Sequence, residues 1–101
     1  MINILHGTDW WTDCDDIAAL RVLCRAHKHG EVNLLGVGVD SVMEYSAPSV
    51  SAFMENEGVR VPIGVDKKAV RDGEHCRYQQ LLAGYPHSVA SNDDCEDAWR
   101  M

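Results

Sequence analysis

The chain reads as an α/β domain with an open, mainly parallel sheet and flanking helices, on three observations. Short β-prone runs alternate with helical stripes at a spacing of about thirty residues, the repeat of right-handed βαβ units. The run VNLLGVGV, Val32 to Val39, is apolar almost throughout, as a parallel strand covered on both faces must be. Glycines follow the helical stripes at Gly30, Gly58 and Gly84, where helix ends are expected.

In chain order, INILH predicts a strand over Ile2 to Leu5 that stops at Gly7. Ile17, Leu20, Leu23, Cys24 and Ala26 then fall at helical spacing, with Arg21, Arg25 and Lys28 on another side. Asp15 and Asp16 stand at the positive end of this helix's dipole, and Arg25 and Lys28 stand near its negative end. His27 and His29, in the same last turn, suit that dipole as partly cationic imidazoles.

The second strand is Val32 to Val39. Ser46 and Pro48 mark a second helix entry, Val50, Phe53 and Met54 its buried stripe, and Gly58 its end. A third strand is expected over Val61 to Val65, with Pro62 tolerable at its start or at an edge. Lys67 to Arg77 is a polar excursion, and Tyr78, Leu81 and Leu82 line a short helix ending near Gly84. Asp93 with Glu96 three residues on resembles a helix entry, and Ala98, Trp99 and Met101 begin an apolar stripe. A helix of about two turns is short against the usual three, so the expectation is that the chain is the N-terminal part of a longer domain.

Composition narrows the function. A net charge of −7 over 101 residues lacks the basic face that a nucleic-acid backbone reader needs. No apolar run spans a bilayer and Met1 to Leu5 is no secretory signal, so no membrane partner and a cytoplasmic location are expected. Cys14, Cys24, Cys76 and Cys95 show neither CxxC nor zinc spacing, which points to reduced thiols, some of them buried.

The chemistry concentrates in GTDWWTDCDD, Gly7 to Asp16, the loop from the first strand into the first helix. In open α/β sheets ligands bind beyond the carboxyl ends of strands, where this loop lies. Asp9, Asp13, Asp15 and Asp16 repel one another unless a cation intervenes, and Ca²⁺ or Mg²⁺ takes several carboxylate oxygens. The plainer reading is helix capping, with Asp13 as cap and Asp15 and Asp16 serving the dipole.

The same stretch resembles the acidic signature of the inosine-uridine preferring nucleoside hydrolase family, one form of which reads DTDxGxDxDD before an apolar helix. Thr8, Asp9, Asp13, Asp15 and Asp16 match it, and IAAL continues as the family's helix does. NLLGVGV is similar to the family's second strand, VPIGV to its third, and YQQLLAGYPHS with EDAWRM to a later segment.

The resemblance implies a Rossmann-like fold, cut short, and Ca²⁺-dependent hydrolysis of the N-glycosidic bond of a ribonucleoside or related ribosyl compound, with a homo-oligomer for a full-length member. It implies that Asp9 ligates Ca²⁺ and takes a proton from the attacking water, that Asp16 is a second ligand, and that Asp15 holds ribose hydroxyls. Asp13 is left with a capping role and His6 with one behind the ligands.

The chain departs from the signature at Gly7, where the first acid is missing, and at Trp10 and Trp11, which fill small or glycine positions. It also lacks the asparagine after the second strand, for which Glu44 in SVMEY is the stand-in. Downstream family ligands fall past Met101, so the expected Ca²⁺ site is weak or incomplete and the chain alone is expected to be inactive. Two other readings compete: a non-catalytic α/β remnant that depends on a partner, and an Mg²⁺-dependent aspartyl phosphotransferase, whose DxDx[TV] motif DCDDI misses at its last position.

Overall fold

Four parallel strands in the order β1-β2-β3-β4 form one sheet in the computed structural model, which describes residues 2–10, 15–40, 43–67 and 77–98, Arg77 by its backbone alone. Along the chain run β1 (Ile2–Thr8), α1 (Asp15–Lys28), β2 (Val32–Val39), α2 (Ser46–Asn56), β3 (Ile63–Val65), α3 (Arg77–Leu82), a 3₁₀ turn (Asn92–Asp94) and β4 (Glu96–Asp97). Every neighbouring pair is parallel. The expected open parallel α/β sheet is therefore the architecture.

β1 runs three residues past its expected end, because Gly7 pairs with Gly38 and Thr8 with Val39. A glycine read locally as a stop is held extended by a neighbour thirty residues away. β3 is shorter than expected: Pro62 stands before it and contributes only its carbonyl, which accepts Val37 N–H at 3.0 Å. β2 has the expected bounds, yet it is not covered throughout. Its pairing with β1 shifts between Ile4 and Leu5, and Leu35, at this irregularity, is 46% exposed.

α1 and α2 end alike. Glu31 N–H reaches Ala26 C=O and Gly30 N–H reaches His27 C=O; Val59 and Gly58 repeat the pattern on Met54 and Glu55. These are Schellman closures, and they place Gly30 and Gly58 at φ 75° and 77°, which only glycine adopts without strain. The helices lie side by side, joined by Arg21 Nε to Glu57 Oε1 at 3.1 Å. Leu20 and Cys24 of α1 share one core with Val37 and Val39 of β2, Val50 and Met54 of α2, and Ile63 and Val65 of β3. Successive crossovers of one hand along a sequentially ordered sheet give this arrangement, which is one half of a doubly wound fold.

α2 has no capping side chain of its own. Asn92 supplies the cap from the far end of the chain, its Oδ1 accepting Ala47 N–H at 2.9 Å and its Nδ2 donating to Met43 C=O at 2.6 Å. The segment expected to start a helix at Asp93 instead makes a single 3₁₀ turn. Ser91 and Asp94 close it as a capping box, and the chain then enters β4 beside β3.

His27 also departs from expectation. Its Nδ1 accepts Leu34 N–H at 3.0 Å, which needs the nitrogen's lone pair, so the ring serves the entry of β2 as an acceptor rather than the helix dipole as a cation. Of the cysteines, Cys24 and Cys95 are free and buried, and burial pushes the Cys24 thiol up to about 11. Among the described residues no helix is long and apolar enough to cross a membrane.

Glu55 fastens the Ser88 segment to α2. Its Oε2 accepts Ser51 Oγ–H at 2.7 Å and Ser88 N–H at 2.7 Å, and its Oε1 accepts Arg60 Nη2 at 3.2 Å. The Ser51 hydroxyl first, then the Ser88 peptide and the Arg60 charge, hold its pKa at about 2 against an ordinary 4.5. A depressed carboxyl contributes stability that is complete above its ordinary pKa and lost as pH falls through the native one. Acid titration of the folding midpoint is thus expected to show a loss between pH 4.5 and about 2 that is flattened in Glu55→Gln.

Candidate functional site

The parallel strands put their carboxyl ends on one rim, and each end carries an aspartate. Asp9 follows β1, Asp40 follows β2, Asp66 follows β3, and Asp97 closes β4 in register with Val65. Asp40 N–H donates to Thr8 C=O at 2.8 Å and Asp66 N–H to Val39 C=O at 2.9 Å, so the ladder itself places the first three side by side. The first turn of α1 adds Asp15 and Asp16.

Of the sequence-predicted residues, Asp9 and Asp16 meet. The Asp16 carboxyl is within hydrogen-bond reach of Asp9, and that contact, followed by partial burial and the Asp9 charge, pushes its pKa up to about 6. The Thr8 hydroxyl and the Trp10 peptide pull the other way without reversing the shift. Two carboxyls in such contact share a proton or admit a cation. Asp15 is exposed at the first residue of α1, free to reach a ligand from solvent. Asp13, Trp11 and Cys14 lie outside the described residues, as do Arg71, His75 and Cys76.

Trp10 determines how the loop sits. It occupies the left-handed region at φ 48° with no exposed surface. Its N–H donates to Thr8 Oγ1 at 3.1 Å, its Nε1 donates to Ser49 Oγ at 2.9 Å, and its carbonyl accepts Gln79 Nε2. The rings of Phe53 and Tyr78 meet it edge to face at 5.5 and 5.8 Å between centroids. Trp10 is therefore a packing anchor that joins the loop to α2 and α3, not a pocket wall.

His6 lies on β1, three residues before Asp9. It is in register with the core residue Val37 on the helix-covered face of the sheet, and its buried Nε2 has no hydrogen-bond partner among the described residues. Burial lowers its pKa, and the charge of Asp40 partly offsets this. The charge felt by His6 is that of Asp40.

Asp40 is the residue that sequence reasoning passed over, in favour of Glu44, which is exposed in the turn before α2. Its Oδ2 lies 4.0 Å from where a Gly7 Cβ would stand, so a carboxylate from β2 occupies the neighbourhood of the acid missing at position 7. The available signal was its place immediately after an apolar strand. Among the described residues no three His, Cys, Asp or Glu side chains converge as a metal-holding group. A cavity of about 30 Å³ between Glu55, Ser88, Val61 and Ile63 lies at the entry of β3, the opposite end of the sheet, and has room for about one water.

Fold and site together define a small parallel α/β domain with paired carboxylates at the carboxyl rim of its sheet. Comparison with protein-family models, with curated proteins and with solved structures finds no match.

Two predictions follow from the loop. Trp10→Ala removes a fully buried indole and is expected to cost about 3–5 kcal/mol in chemical denaturation, and Trp10→Phe, which keeps a ring but abandons Ser49, about 1–2 kcal/mol. A carboxyl whose native pKa is raised favours folding below its ordinary value and loses that contribution as pH rises through the native one. Without divalent cations, stability is thus expected to fall between pH 3.8 and about 6, and Asp9→Asn to suppress this fall, as measured by thermal midpoints across that window.

Proposed function

We propose that the loop from Thr8 to Asp16 is the cation- and ribose-binding loop of a nucleoside hydrolase-type domain acting in the cytoplasm on ribonucleosides or related ribosyl compounds. The observation that carries this reading is the meeting of Asp9 and Asp16 at the carboxyl rim of a parallel sheet, the two positions to which the resemblance assigns the metal. Their oxygens suit a hard ion such as Ca²⁺, whose charge would offset the contact with Asp9, the burial and the Asp9 charge that together raise Asp16. Asp15, next in chain to Asp16 and exposed, would accept hydrogen bonds from ribose hydroxyls.

In this reading Asp9 takes the proton of the attacking water, and Asp9 and Asp16 would hold the ion. Asp15 orients the sugar as its anomeric carbon gains oxocarbenium character. Bound Ca²⁺ lends the site positive charge that favours ionisation of water. Trp10 contributes no ligand, since its N–H and carbonyl are already engaged; it holds Asp9 in position.

Two carboxylates are few for Ca²⁺, so a dissociation constant on the order of 1 mM is expected for this chain. Calorimetric titration should find binding that weakens at least about tenfold in Asp9→Ala and in Asp16→Ala and is unchanged in Glu96→Ala. Binding indifferent to both aspartates would remove the reading. The chain alone is expected to release no free base from inosine or uridine, and measurable cleavage would show its own residues to be sufficient.

A further inference from the structure

We infer that Gln79 of α3 is a positioning residue for the rim pair: by holding the Trp10 carbonyl it sets Asp9 against Asp16, and it thereby tunes the affinity of the pair for a divalent cation. Its effect on affinity rests on the reading of Asp9 and Asp16 as cation ligands; its effect on their geometry does not.

Gln79 is 1% exposed, and a buried amide needs partners at both of its ends. Its Nε2 donates to Trp10 C=O, and its Oε1 accepts Ser46 Oγ–H at 3.4 Å. On α2, Ser46 C=O accepts Ser49 Oγ–H at 2.9 Å, and Ser49 Oγ accepts the Trp10 indole N–H at 2.9 Å. These bonds form a closed circuit. It leaves Trp10 by the ring nitrogen, crosses α2, and returns through Gln79 to the carbonyl of the same residue. The directions agree all round, because a carbonyl only accepts and so requires the NH₂ end of the Gln79 amide.

What the circuit fixes is the Trp10 backbone. A φ of 48° is costly for a bulky residue and persists only where the surroundings over-determine it. Ring packing and Ser49 hold the side chain but leave the direction of the carbonyl open, and Gln79 settles it. On the other side of the same Cα, Trp10 N–H donates to Thr8 Oγ1 at 3.1 Å, and the Thr8 hydroxyl and the Trp10 peptide both meet the Asp16 carboxyl. The peptide that joins Asp9 to Trp10 is therefore the one that faces Asp16. Loss of the Gln79 amide would leave a buried carbonyl unpaired and let Trp10 turn out of the left-handed region, carrying this peptide and Asp9 away from Asp16.

Ca²⁺ titrations of the full chain, followed by the amide shifts of Asp9 and Asp16 in nuclear magnetic resonance, test this. Gln79→Met, which keeps the volume and removes both hydrogen bonds, is expected to raise the dissociation constant about tenfold. In an Asp9→Ala background, where no carboxylate remains to be placed, the same substitution should change it by less than about twofold. Leu82→Ala, on the same helix and packed on the same core, should also leave it within about twofold, which separates positioning from a general loss of stability. Without the ion, Overhauser contacts between the Trp10 amide proton and the Asp16 side chain should be present in the unsubstituted chain and lost in Gln79→Met. A dissociation constant unchanged by Gln79→Met, contacts retained in it, or an equal loss of affinity in Leu82→Ala or in the Asp9→Ala background overturns the proposal. If the unsubstituted chain binds no Ca²⁺, the cation reading fails, and the ion-free contacts alone decide whether Gln79 positions the pair. Should Gln79→Met not fold, Ser46→Ala, which frees the amide to turn, is judged by the same measurements.

Discussion

The burial of Trp10 is the constraint on which the upper half of the molecule depends. Leaving β1, the chain must turn sharply enough to begin α1 a few residues later, and it does so with a tryptophan in a backbone region that costs a bulky residue roughly 1–3 kcal/mol. Burying an indole offsets that cost, and the engaged N–H, carbonyl and ring nitrogen leave no unpaired polar group behind. Because Ser49 lies on α2 and Gln79 on α3, one side chain ties together the loop and both helices. Asp9, the residue before it, inherits a defined place on the rim.

α2 shows how the same economy extends downward. Ser46, Ser49 and Ser51 are all buried, unusual company for the middle of a domain, and each hydroxyl is used. Ser46 Oγ accepts Met43 N–H and contacts Gln79, Ser49 takes the Trp10 indole, and Ser51 donates to Glu55. With Asn92 capping the helix from 45 residues away, the polar contacts of α2 reach the β1 loop, α3 and the segment before β4. The helix therefore acts as the fastening point for chain segments that are too short to hold themselves.

What was legible in the sequence was what is locally encoded. α1 and β2 have the bounds that periodicity and the apolar run implied, and Gly30 and Gly58 end their helices because their φ is positive. What escaped depends on distant partners. Gly7 stays in β1 because Gly38 pairs with it, His27 turns acceptor because Leu34 N–H needs one, and the terminal segment becomes a strand because β3 has an edge to offer. At the site, the pairing of Asp9 with Asp16 was implied by the resemblance alone. The nearness of Asp40 could not be foreseen, since it requires the register of β1 on β2.

The pair at the rim keeps an opposing term, because contact with Asp9 disfavours ionisation of Asp16. The dipole of α1 is already served by Asp15, which is solvated, so helix formation alone gives no reason to bring a second carboxyl against Asp9. Asp16 also meets the Thr8 hydroxyl and the Trp10 peptide and so takes part in closing the loop, but these contacts do not offset what Asp9 and burial do to it. A contact that repels itself once deprotonated would be relieved by a proton in acid or, on the proposed reading, by a divalent ion near neutrality. The two differ in their dependence on pH and on cation concentration. On the proposed calcium reading, the loop should therefore regain, on adding the ion at pH 7, the stability that it loses between pH 3.8 and about 6 in its absence.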